Sequence, residues 1–133
     1  MKSKLVPICV VAAISLCLFS CSSAPKSVSV DASYDGKEVE LGVGDSLVVT
    51  LESNRTTGFS WELAKISDET VLKQIHQKYE GPGAGAPLGA GGQEVWTFKA
   101  LKKGTSSISM EYSRPWEGGE KAAETFNLTV VVK

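Results

Sequence analysis

From Glu38 onward the chain alternates between apolar and polar positions. Leu47, Val49 and Leu51 interleave with Val48, Thr50 and Glu52, just after the turn signal Gly42-Val43-Gly44-Asp45. Phe59, Trp61 and Leu63 interleave with Ser60, Glu62 and Ala64, and Trp96, Phe98 and Ala100 with Val95, Thr97 and Lys99. Ile108, Met110 and Tyr112 do the same with Ser107, Ser109 and Glu111, and Phe126, Leu128, Val130 and Val132 form a last apolar set. Successive side chains of a strand point to opposite faces, so each set lies on one face and all can share one core. Short alternating runs broken by turn residues predict a sandwich of strands. The stretch from Ser67 to about Leu72 departs from this, with Ser67 or Asp68 placed to cap one helical turn. Leu72–Tyr79 reads as a further strand. The count is about seven, which predicts an all-β, immunoglobulin-like β-sandwich. The Cys…Trp…Cys signature of antibody domains is absent, so the core rests on apolar packing.

The N-terminus follows a different rule. Lys2 and Lys4 precede a largely apolar run of 16 residues, Leu5–Ser20. A membrane span needs about 20, so this length fits the apolar part of a secretory signal. It ends in Leu18-Phe19-Ser20-Cys21, followed by the small residues Ser22-Ser23-Ala24. This resembles a bacterial lipoprotein signal, which implies cleavage before Cys21 and acylation of its thiol. All three cysteines (Cys9, Cys17 and Cys21) lie in or at the end of this segment, so the remainder holds no disulfide even if exported. Several acyl chains at Cys21 would hold the protein stably on a membrane. The expected organisation is a signal peptide over 1–20, a lipidated N-terminus and flexible tether over 21–36, and a folded domain over 37–133. The location expected is a bacterial cell envelope, on the periplasmic or surface side.

Removing residues 1–20 leaves 113 of the 133 residues, enough for one domain with a real core. That segment carries two lysines and no acids, so the formal charge falls from −1 to −3. Nothing in this balance favours nucleic acid as a partner. His76 is the single histidine, and no thiol accompanies it beyond Cys21, which argues against a Cys–His pair or a zinc cluster. No serine sits in a nucleophile-elbow context, so His76 reads as a solvated strand or turn residue. No metal or cofactor is called for, and the expected protein is not an enzyme.

Three loop sequences remain, each between predicted strands: Asn54-Arg55-Thr56-Thr57-Gly58-Phe59, Pro87-Leu88-Gly89-Ala90-Gly91-Gly92 and Arg114-Pro115-Trp116-Glu117. Gly58 can adopt a positive φ, and β-branched Thr56 and Thr57 restrict their own χ1, so the first loop is expected to be stiff. The second lacks the Gly-Lys-Ser/Thr ending of a phosphate cradle and runs into a strand instead of a helix. Its glycines let main chain approach a partner closely and offer amides for strand-like pairing. In the third, Pro115 pushes Arg114 toward extended geometry, and Gly118 and Gly119 leave Trp116 little bulk to hide behind. Trp and Arg dominate binding hot spots, so an exposed Trp116 marks a contact.

Taken together and in this order, the three motifs resemble those of the chagasin-type inhibitors of papain-like cysteine peptidases. The resemblance covers about Glu38 to Val132. It implies three loops side by side at one end of an immunoglobulin-like sandwich. It implies that Thr56, Thr57 and Gly58, flanked by Asn54, Arg55 and Phe59, enter the cleft and cover the catalytic cysteine without being cut. Leu88, Gly89, Ala90, Gly91 and Gly92 would lie along one wall, and Trp116, with Arg114, Pro115 and Glu117, along the other. Arg55 stands where that family commonly has proline, which removes a fixed φ and adds a cation. The implied function is reversible, competitive, non-covalent inhibition by a monomer. The rival reading is a lipid-anchored immunoglobulin-like surface module for a glycan or partner protein, since fold alone does not decide function.

Overall fold

The computed structural model describes residues 24–133; the predicted signal segment and Cys21 lie outside the described residues. Among the described residues eight strands form two four-stranded sheets. They are β1 (Ser27–Val30), β2 (Glu38–Leu41), β3 (Ser46–Ser53), β4 (Ser60–Ile66), β5 (Leu72–Glu80), β6 (Gly92–Ala100), β7 (Gly104–Ser113) and β8 (Glu124–Val132). One sheet has the order β1-β3-β6-β5 and the other β2-β8-β7-β4. The architecture is an immunoglobulin-like β-sandwich, as the alternation predicts.

The core sits between the sheets and takes the inward set of each strand. Leu47, Val49 and Leu51 of β3, Trp96, Phe98 and Ala100 of β6, Ile108 and Met110 of β7, and Phe126, Leu128, Val130 and Val132 of β8 are all buried. Full burial of such a side chain stabilises the fold by roughly 1.5–3 kcal/mol relative to leaving it in water. This apolar set does the work that a disulfide does in antibody domains.

Two features depart from the sequence reading. The eighth strand, β1, lies inside the stretch expected to be a tether, and it pairs in parallel with β3 from Ser27↔Ser46 to Val30↔Val49. Ordered chain thus begins well before Glu38. Its alternation was too short to read, since only Val28 and Val30 carry it. The expected helical turn is instead a hydrogen-bonded turn capped by Asp68. The Asp68 carboxylate accepts from the Thr70 amide at 2.9 Å, and its carbonyl accepts from those of Val71 and Leu72. The cap was placed correctly, but β-branched Thr70 and Val71 lead straight into β5 and the turn does not propagate.

Strand polarity decides where the connections fall. Ser53↔Gly92 of the β3–β6 pair, Ser60↔Ser113 of β4–β7 and Glu80↔Gln93 of β5–β6 all lie at one end of the sandwich. The β3–β4 connection crosses between the sheets there, while the β5–β6 and β7–β8 connections close one hairpin in each sheet.

Candidate functional site

The β3–β4 loop is built around Asn54. Its side-chain oxygen accepts from the Thr56 amide at 3.1 Å and from the Thr56 hydroxyl at 2.6 Å, capping a 3₁₀ turn over Arg55–Thr57. Asparagine is a strong cap because its short amide reaches the free N–H groups of the turn. The Thr57 hydroxyl donates to the Asn54 carbonyl at 2.6 Å. Gly58 then takes φ +83°, a left-handed conformation that costs an L residue about 1 kcal/mol or more. Stiffness therefore comes from capping and back-bonding, with the χ1 restriction of the threonines as an addition.

The same Asn54 links this loop to its neighbours. Its Nδ2 donates to the Gly89 carbonyl of the glycine loop at 2.9 Å, and its backbone N–H donates to the Tyr112 hydroxyl at 2.9 Å. On the other side, Arg114 Nε donates to the Thr57 carbonyl at 3.3 Å. Trp116 lies directly over Gly58: a Cβ added at Gly58 would sit 2.3 Å from Trp116 Cη2. That contact requires glycine for space as well as for φ. Trp116 still leaves 51 % of its surface in solvent, so it is propped against the central loop with its outer face free. Pro115 and Glu117 flank it and are exposed.

Under the loops, an aromatic stack ties the two sheets. The Arg114 guanidinium lies 4.5 Å from the Phe59 ring centre, Phe59 stacks on Tyr112 at 5.2 Å, and Tyr112 meets Trp61 at 5.1 Å. Such pairs contribute beyond their buried area, and the cation adds attraction to the ring face. Trp61 Nε1 donates to the Glu52 carbonyl at 2.9 Å, which closes the stack against β3.

The sequence reading missed Glu94. It is 1 % exposed in β6, and its Oε2 accepts from the Trp61 amide of the opposite sheet at 2.8 Å. Its Oε1 accepts from Gln77 at 3.3 Å and from Arg55 at 3.5 Å. A buried carboxylate is tolerated when its lone pairs are filled in this way. The signal was present: Glu94 shares the inward phase of Trp96, Phe98 and Ala100. A carboxylate at that phase has to be partnered, and the partners are the loop base. Arg55 also stacks over the Tyr79 ring at 4.2 Å. In place of a proline's fixed φ, this chain holds the position by a side chain clamped between Glu94 and Tyr79.

The glycine loop is attached more lightly. Turns close with Ala86 N–H donating to Gly83 and Ala90 N–H to Pro87, and Leu88 is fully exposed. Gly92, where β6 starts, is required sterically, because a Cβ there would lie 2.2 Å from the Glu80 carbonyl. Gly91 lies close to Asn54: a Cβ added there would sit 3.5 Å from the Asn54 Cβ.

All three predicted loops thus meet at one tip, with the threonine loop in the middle. His76 lies on exposed β5, away from them. Among the described residues no group of three or more His, Cys, Asp or Glu side chains is placed to hold a metal ion.

The three loops, braced on one another, form a single composite edge at one end of the sandwich. Residues 40–130 match the family described as Chagasin family peptidase inhibitor I42. Chagasin from Trypanosoma cruzi is 31% identical over 105 residues, covering 77% of this chain and 94% of that protein. Amoebiasin-2 from Entamoeba histolytica is 29% identical over 99 residues, covering 74% of this chain and 80% of that protein. The crystal structure of a cysteine protease inhibitor from Entamoeba histolytica superimposes with a TM-score of 0.71 at 22% identity, covering 81% of this chain and 96% of that one. The chain belongs to the chagasin family of peptidase inhibitors. It is an inhibitor by family and not an enzyme.

Proposed function

We propose that this protein is a reversible, competitive, non-covalent inhibitor of papain-family cysteine peptidases. Thr56, Thr57 and Gly58 enter the cleft at the nucleophile, Leu88–Gly92 lie along one wall, and Trp116 with Arg114, Pro115 and Glu117 lies along the other. The observation that carries this reading is the bracing of the central loop from both sides, by Asn54 to Gly89 and by Arg114 and Trp116 to Thr57 and Gly58. Loops already held near their bound shape lose little conformational freedom on association, which favours affinity. A capped, back-bonded turn also resists the extension that a peptidase needs before it can cut. The relative from Entamoeba histolytica is itself a cysteine protease inhibitor, which supports the target class.

We also propose that Cys21 carries the lipid that the signal sequence implies, which would fix the inhibitor to the cell envelope of a bacterium as a membrane-anchored monomer. Inhibition does not depend on that anchor. The test is a titration of papain with the chain from Cys21 onward, Cys21→Ser. Expected are a raised apparent KM, an unchanged kcat and full activity on dilution. Trp116→Ala is expected to weaken inhibition by about 2 kcal/mol or more, as hot-spot truncations do. Papain activity unaltered at micromolar inhibitor would refute the assignment. An inhibition constant unchanged in the Trp116 variant would remove that wall of the wedge alone.

A further inference from the structure

The end of the sandwich opposite the loops has a character of its own. Lys26 precedes β1, Lys102 and Lys103 form the β6–β7 turn, and Lys133 follows β8; all four are exposed. Just above them, Lys73 of β5 and Lys99 of β6 stand directly opposite each other in register. Like charges in that position destabilise an isolated sheet, so the fold tolerates a cost there. Two bulky apolar side chains project among these lysines. Val43 of the β2–β3 turn is 52 % exposed and Leu101 is 41 % exposed. Gly44 N–H donates to the Ala100 carbonyl at 2.9 Å, which sets the two turns side by side.

The acids at this end are largely engaged. Glu40 pairs with Lys133 at 2.8 Å. Asp45 accepts from the backbone amides of Lys26 at 2.9 Å and Gly42 at 2.8 Å, and Asp68 accepts from that of Thr70. Both carboxyls are held below the usual carboxylate range, Asp45 first by the Lys26 amide and Asp68 first by the Thr70 hydroxyl. Glu69 is exposed here too. At the loop end Glu80 pairs with Lys78 at 2.7 Å, while Glu52, Glu117, Glu120 and Glu124 are exposed.

The chain itself says which way this end points. Ser46 N–H donates to the Lys26 carbonyl at 2.8 Å, so the segment leading from Cys21 joins the sandwich at the lysine-rich end. Lys26 lies five positions after Cys21, and a fully extended chain over that interval spans at most about 18 Å. We infer that this end, centred on Lys26, Lys102, Lys103, Val43 and Leu101, is a docking face for an anionic phospholipid bilayer. The inference rests on lipidation of Cys21, and it goes beyond anchoring by giving the domain an orientation. Lysines meet headgroup phosphates, Val43 and Leu101 dip toward the acyl boundary, and the threonine, glycine and tryptophan loops point away from the membrane. The eight residues of β3 separate the two ends by roughly 25 Å, which keeps the loops clear of the lipid.

The test uses the full chain, isolated with its lipid and reconstituted in phosphatidylcholine vesicles with or without an equal share of phosphatidylglycerol. A water-soluble amine-acylating reagent is followed at each lysine by mass spectrometry. Lys26, Lys102 and Lys103 are expected to react at least about threefold more slowly on the anionic vesicles than in detergent, since lysines near such a surface are drawn to it. Lys78 and Lys121 at the loop end are expected to keep their rates. Equal rates at the two ends, or protection at the loop end, would overturn the proposal. Protection by polyglutamate in solution without protection on vesicles would assign the face to an acidic protein and overturn the lipid assignment.

The intact mass reports acylation separately. If Cys21 carries no lipid, sedimentation of the Cys21→Ser chain with the same vesicles still tests the face. Lys102→Glu with Lys103→Glu is then expected to cut its binding about tenfold or more, with papain inhibition unchanged. Binding indifferent to that double variant and to salt would overturn the proposal on its own.

Discussion

The threonine loop and the glycine loop sit side by side at the same tip and are held to very different degrees. The first spends side chains on itself: an asparagine cap, two threonine hydroxyls, an arginine clamp and a tryptophan laid across its glycine. The second spends almost none, and a single side-chain bond from Asn54 to Gly89 ties it to its neighbour. A segment that meets a nucleophile has to hold its shape before contact, because ordering it in the cleft would subtract from affinity. A segment that lies along a wall gains from small residues that let the backbone come close. The two chemistries therefore divide one binding task.

That contrast can be broken at several depths. The largest effect is expected from Glu94→Ala, which leaves the buried Trp61 amide unpaired and frees Arg55. Stability should fall by about 3 kcal/mol in urea unfolding, most of it from the orphaned amide, since the half-exposed Arg55 pair contributes little. Gly58→Ala comes next. Its methyl would meet Trp116 and its φ is left-handed, so stability should fall by about 1 kcal/mol. Inhibition should weaken roughly a hundredfold, because Trp116 is displaced together with the loop.

Asn54→Ala removes the cap and the only side-chain link between the two loops found among the described residues. A loss of about 1 kcal/mol in stability is expected, with a matching rise in the inhibition constant. Leu88→Ser should do least. Leu88 has no buried surface, so stability should stay within about 0.5 kcal/mol. A drop in affinity without a drop in stability would mark it as a direct contact, which sharpens the division between a braced loop and a bare one.

The fold was legible because period-two alternation survives in β3, β6, β7 and β8, while β5 loses it at a register shift between Gln74 and His76. Leu47, Phe98, Met110 and Leu128 all face inward as their phase requires. β1 was hidden because four residues with two valines do not make a pattern, and parallel pairing with β3 leaves no hairpin signal. The loops were legible as compositions, and strand polarity brings them to one end. Their internal wiring was not. Nothing local to Arg55 announces that it stacks on Tyr79 from another strand, and nothing local to Asn54 announces Gly89. Glu94 was the exception: an acid at an inward phase was readable, and following it would have led to Trp61, Gln77 and Arg55.

Protection of a papain thiol tests the wedge most directly. Papain is treated with iodoacetamide alone and with one equivalent of the inhibitor, and alkylation of its catalytic cysteine is followed by mass. The account predicts that alkylation stops at equimolar inhibitor and that the inhibitor is recovered uncut between Thr56 and Phe59. Alkylation at an undiminished rate, or a new chain end within Thr56–Phe59, would contradict it.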